Sequence, residues 1–242
     1  MRLAIFDIDD TLTDTAFVDR ECFAQTFFDR YSVRDFPNDG RHFSHYTDPA
    51  IFSQIYEERF NSPLAVSELQ RLQNHYLAIL RAMAKIWPQL FRQIPGASTS
   101  LAHLQQHSDW RIAIATGSWE EAAHTKLKTA GIEYRHLPLA TANDGFTRET
   151  IVETAIDRAQ TAYGINEFSG IVLVGDGLWD LKCAQTLNLG FVGIASGMKA
   201  ALLKQQGALH LLPDLTNFDA LLHSLANAAV QGKEMEKMLS KP

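Results

Sequence analysis

"LAIFDIDDTLTDT", residues 3–15, opens as an unbroken apolar run and closes with the carboxylates Asp7, Asp9, Asp10 and Asp14. A short apolar run that ends in polar residues reads as a β-strand buried on both faces, the habit of parallel sheets covered by helices. Like charges this close repel one another. Their crowding at a strand end calls for positive charge supplied from elsewhere in the chain.

The same pattern recurs. "RLAIFD" (2–7), "RIAIATG" (111–117), "GIVLVGD" (170–176) and "GFVGIAS" (190–196) read as strands, with weaker ones near Leu137–Thr141 and Leu209–Leu212. Helical patterns lie between them, at roughly 97–107, 119–130, 149–163 and 178–187. This alternation predicts an α/β fold with a doubly wound parallel sheet. Residues 16–94 break the rhythm: "AFVDRECFAQTFFDRYS", "DPAIFSQIYEERF" and "VSELQRLQNHYLAILRAMAKI" carry helical periodicity and no buried strand. The expected organisation is a core of residues 1–15 and 95–228, a helical insertion at 16–94, and a polar tail at 229–242 that frays.

Composition narrows the class of function. The chain has 242 residues, is 46% hydrophobic and carries a net charge of −6, so the basic footprint of a nucleic-acid binder is missing. "MRLAIFD" is too short and too acidic at its end for a signal peptide, and no apolar run reaches membrane-spanning length. Cys22 and Cys183 match no metal or redox spacing and read as reduced packing residues of a cytoplasmic protein.

Ligands of open α/β sheets bind beyond the carboxyl ends of the strands. Here those ends carry Asp7 and Asp9, then Thr116-Gly117-Ser118, then Asp176 and Asp180. A parallel sheet brings all three groups to one edge. Acids gathered there need a cation, and hard carboxylate oxygens without Cys or His favour Mg²⁺ over Zn²⁺. "ATGS" (115–118) places a hydroxyl and backbone N–H groups just ahead of a helix, a ready anion site. Arg148, in "DGFTRET", offers a planar fork suited to phosphate. A small phosphorylated substrate fits this set.

Together, "DIDDT" (7–11), "ATGS" (115–118), Arg148 and "GDGLWD" (175–180) resemble, in order and strand context, the four signature motifs of the haloacid dehalogenase-like hydrolases. The insertion resembles the helical cap of phosphoglycolate phosphatase-like members. The resemblance implies a Rossmann-like core and a Mg²⁺-dependent phosphatase working through an aspartyl-phosphate. By it, Asp7 is the nucleophile and Asp9 the acid and base. Asp7, the carbonyl of Asp9 and Asp176 hold the metal with Asp180 behind them, and Thr116, Gly117, Ser118 and Arg148 bind phosphate. A phosphosugar mutase on the same fold is the alternative; a haloacid dehalogenase or a non-catalytic binding protein fits less well.

Two positions depart from the family pattern. Asp10 stands where glycine is usual and reads as a turn residue facing away from the metal. Arg148 stands where lysine is usual, with Lys126 and Lys128 as fallback cations. "HYTDPAIF" (45–52) resembles the Thr-Asp stretch that opens a cap helix facing substrate, although Asp48 as N-cap and Pro49 as first helical residue explain it equally well. Arg34, Arg41, His42 and His45 read as solvated loop residues, and His103 with His107 lacks a third zinc ligand.

Overall fold

A computed structural model describes residues 1–33, 35 and 42–239, with side chains through Ala229. Arg34 and Arg41 lie outside the described residues. The core is a six-stranded sheet in the order β5-β4-β1-β6-β7-β8, with every pairing parallel. Its strands are β1 (Arg2–Phe6), β4 (Trp110–Ala115), β5 (Leu139–Ala140), β6 (Ile171–Gly175), β7 (Gly190–Ile194) and β8 (His210–Leu212). Residues alternate between the two faces of β1. Leu3 and Ile5 join one buried apolar cluster, and Ala4 and Phe6 join the other. Both faces are dry, which is why the strands read as continuous apolar runs.

Helices α4 (Ala97–Gln106), α5 (Glu120–Thr129), α6 (Arg148–Tyr163) and α7 (Leu178–Thr186) connect the strands. Register then fixes the site. Phe6 pairs with both Ile114 and Val174, so Asp7, Thr116 and Asp176 leave the sheet within two residues of one another's level. The backbone N–H of Asp7 donates to the Val174 carbonyl at 2.9 Å, holding the strand in line up to its last residue.

The insertion folds as a cap of three helices, α1 (Ala16–Tyr31), α2 (Asp48–Phe60) and α3 (Val66–Ile86). Its interior is aromatic. Phe23 lies 4.6 Å from Phe52 and 4.8 Å from Tyr76 between ring centres, and Trp119 of the core closes the cluster at 5.3 Å from Phe52. Truncating any one of these buried rings to alanine costs about 3–5 kcal/mol. A two-stranded antiparallel ribbon, β2 (Thr13–Asp14) with β3 (Arg92–Gln93), joins the two chain crossings between cap and core.

Three features differ from the sequence reading. The helix α8 (Gly197–Gln205) buries only Leu203, so it carries little periodic signal. α9 (Phe218–Leu239) extends into the stretch expected to fray, as far as Leu239. The Lys, Glu, Met and Leu that recur there are good helix formers. Thr47, not Asp48, occupies the cap position of α2, and Asp48 is its first residue, its carboxylate engaged elsewhere.

Glu68 ties α1 to α3. Its carboxylate accepts from Tyr31 Oη at 2.5 Å, Arg30 at 2.8 Å and Arg71 at 3.0 Å. The Tyr31 and Arg30 hydrogen bonds lower its pKa to about 2, below the ordinary value of 4.5. This contribution is therefore complete above pH 4.5 and disappears as pH falls through 2. Glu68→Gln should cost about 1 kcal/mol at neutral pH. In urea unfolding, the gap from wild type should close as pH drops from 4.5 towards 2.

Candidate active site

The carboxyl edge of the sheet opens into a cavity of about 830 Å³ between core and cap, lined by Asp7, Asp9, Thr116, Gly117, Ser118 and Arg148 among others. Asp176 also lines it, so the three groups anticipated at separate strand ends meet there. Asp7, Asp176 and Asp180 each bring a carboxylate oxygen within 4.8 Å of the others, and all are buried. Asp180 stands behind the cavity wall. It accepts from the backbone N–H of Gly177 at 3.1 Å, and a side chain on Gly175 would overlap its carboxylate.

Burial raises the pKa of Asp7 to about 7; Arg148 opposes the shift, and Asp180 and Asp9 add to it. Burial also pushes Asp176 well above the usual carboxylate range against the pull of Lys199. Compact, buried, oxygen-only donors short of positive charge are what a hard divalent cation suits. The residues present fit Mg²⁺.

Of the three basic candidates, Arg148 reaches Asp7. Its guanidinium lies 3.0 Å from Asp7 Oδ1 and is also bonded to Asp180. Burial works against its charge, but Asp180 and Asp7 outweigh that and raise its pKa. Its Nε–H is buried without an acceptor among the described residues. Lys128 is exposed. Lys126 is wholly buried and serves a different carboxylate, Asp9.

The four acids of the opening stretch therefore part company. Asp7 faces the carboxylate cluster. Asp9 turns towards the cap, where its Oδ1 accepts from Thr15 at 2.6 Å and its Oδ2 from Ser118 at 3.2 Å. Asp14 is bonded to Arg92, away from the site. Asp10 does adopt a turn conformation, with φ of +53°. Its side chain, however, does not simply face away. It accepts from Lys199 at 3.0 Å, and Lys199 is also bonded to Asp176.

The "ATGS" segment is gripped by the cap loop. Gly117 O accepts from Asp48 N at 2.7 Å, and the Asp48 carboxylate accepts from Trp119 N at 2.8 Å, satisfying a free N–H at the start of α5. Ser118 N donates to the Thr116 hydroxyl at 3.2 Å. Tyr46 of the same loop stacks on Trp179, ring centres 3.6 Å apart and planes within 7°. His42 pairs with Glu58 at 2.7 Å, and His45 meets the ring edge of Phe146. His103 packs against Phe218, and among the described residues the group with metal-binding geometry is the aspartate trio.

Sequence reading missed Asp19 and the role of Lys126. Asp19 accepts from Lys126 at 2.8 Å and from Tyr76, joining α1, α3 and α5. An acid in a helix's first turn looks like a surface partner of the helix dipole. The one available signal was that Lys126 shares the inward face of α5 with Ala122, Ala123 and Leu127.

The haloacid dehalogenase-like hydrolase family model matches residues 4–194. The chain belongs to that family. Among solved structures, a hydrolase from Pseudomonas syringae is 19% identical with a TM-score of 0.71, covering 95% of this chain and 100% of that one. CbbY from Rhodobacter sphaeroides, in complex with phosphate, is 19% identical with a TM-score of 0.64, covering 89% and 95%. A Lactobacillus plantarum protein assigned as a phosphoglycolate phosphatase is 18% identical with a TM-score of 0.63, covering 92% and 98%. No curated protein sequence matches the chain significantly.

A Cβ on Gly117 would overlap the Tyr46 carbonyl oxygen and press on Arg148 and the Thr47 Cα at 3.1 Å. Overpacking of this kind costs about 1–3 kcal/mol. Gly117→Ala should therefore lower the melting temperature in a thermal unfolding experiment while leaving the secondary structure seen by circular dichroism unchanged.

Proposed function

We propose that this hydrolase is a Mg²⁺-dependent phosphatase that cleaves a small phosphorylated metabolite through an aspartyl-phosphate on Asp7. The observation that carries this reading is Arg148. It is paired with Asp7 at the wall of the cavity, and its buried Nε–H lacks an acceptor among the described residues. A phosphoryl oxygen is the acceptor that suits a guanidinium fork in that position.

In this reading a carboxylate oxygen of Asp7 attacks phosphorus as the bond to the leaving oxygen breaks. The electron pair departs with that oxygen, which takes a proton from Asp9. Asp9, now ionised, removes a proton from water. The water oxygen attacks the phosphorus of the aspartyl-phosphate, freeing inorganic phosphate and restoring Asp7. Throughout, the Thr116 hydroxyl and the N–H groups of Gly117 and Ser118 hold phosphoryl oxygens. Asp7, the Asp9 carbonyl and Asp176, with Asp180 behind, would hold Mg²⁺, which would supply charge neutralisation to the phosphoryl group and the ionised aspartates. The acidic trio around Asp7 weighs against a dehalogenase, which needs no divalent ion. The two buried free thiols suit a reducing cytoplasm.

Asp7→Asn should fold normally by circular dichroism and lose more than about 10³-fold in turnover of p-nitrophenyl phosphate. EDTA should abolish wild-type activity, and added Mg²⁺ should restore it. Activity surviving in Asp7→Asn would overturn the covalent mechanism. Recovery of an isomerised sugar phosphate in place of free phosphate would overturn the phosphatase reading in favour of a mutase.

A further inference from the structure

We infer that Lys126 is a positioning residue for Asp9, clamping its carboxylate and linking its orientation to the seating of the cap. The inference rests on the acid–base role proposed for Asp9 above. An ammonium has three N–H donors, and each here has one acceptor at 2.8 Å: Asp9 Oδ2, Ser118 Oγ and Asp19 Oδ1. With all donors used and the side chain 0% exposed, Lys126 has a single orientation.

Burying an ammonium is expensive. On the inward face of α5, beside Ala122, Ala123 and Leu127, an apolar side chain would pack without that cost. The charge is therefore retained for its partners. Burial opposes the charged form, but Asp19, Asp9 and Asp48 together raise the lysine pKa, so it stays an ammonium.

Two of the three grips on Asp9 lead to the same cap helix; the third, from the Ser118 hydroxyl, belongs to the core. Thr15, which holds Oδ1 at 2.6 Å, is the N-cap residue of α1. Asp19, in the first turn of α1, shares the Lys126 ammonium that holds Oδ2. Tyr76 of α3 donates to Asp19 from the other side. A shift of α1 relative to the core therefore withdraws Thr15 from Oδ1 and Asp19 from the lysine, while Lys126 and Ser118, both of the core, keep hold of Oδ2. Seated, α1 points the carboxyl group in one direction. Lys126 is not the proton donor in this scheme; it fixes where the donor stands.

Leaving-group dependence separates this role from a merely structural one. p-Nitrophenolate leaves without a proton, whereas the alkoxide of propyl phosphate needs one from Asp9. In Lys126→Met, kcat on propyl phosphate should fall by about 10²-fold, the scale of general acid catalysis. The fall on p-nitrophenyl phosphate should be at least about ten times smaller. Asp9→Asn should show the same bias, and the double variant should be no worse than Asp9→Asn alone. Asp19→Asn, which keeps the contact but removes the charge, should show a weaker form of the bias and decides the matter if Lys126→Met does not fold. Equal losses on both substrates, or losses that add to those of Asp9→Asn, overturn the role of Lys126. Asp7→Asn is the control: activity surviving there sinks the covalent reading, whereas uniform losses at Lys126 beside an inert Asp7→Asn sink only this inference.

Discussion

Several carboxylates are taken out of water at one edge of one sheet, and each uncompensated charge there costs several kcal/mol. The chain meets this cost by giving each acid of its opening stretch a separate basic partner. Arg148 stands between Asp7 and Asp180, Lys126 between Asp9 and Asp19, and Lys199 between Asp10 and Asp176, while Asp14 goes to Arg92. Acids that are neighbours in sequence thus belong to different electrostatic neighbourhoods. That separation gives Asp7 and Asp9 different surroundings although they stand two positions apart. Arg148, Lys126 and Lys199 come from different helices, α6, α5 and α8, so the charge pattern also fixes how those helices meet the sheet edge; Arg92 comes from β3.

The strands and most core helices could be read from sequence because their signal is local. Buried strands are continuous apolar runs, and α4 to α7 appear within about two residues of where periodicity put them. The trio Asp7, Asp176 and Asp180 was legible because strand ends in a parallel sheet converge whatever lies between them. The partners were not. Lys126 meets Asp9 across 117 residues and Asp10 meets Lys199 across 189, and nothing in either neighbourhood states the pairing. Asp48 shows the same limit: its place in sequence suits its own helix start, yet its carboxylate serves the first turn of α5.

The cap is more than a lid of apolar packing. Its aromatic interior ends on Trp119, its loop grips Gly117, and Tyr46 lies flat on Trp179. The parts of the core that touch the cap therefore include the loops that line the cavity, together with α5.

The ribbon of Thr13–Asp14 with Arg92–Gln93 lays the outgoing and returning chain side by side. Seen from the sheet, the whole cap hangs from two adjacent threads, so the gap left by its removal is already closed by backbone pairing. Chain entropy then places little penalty on lengthening, shortening or exchanging what lies between. The architecture is modular at that neck, and what limits exchange of the cap is its side-chain grip on the core, Asp19 on Lys126 and Asp48 on the start of α5.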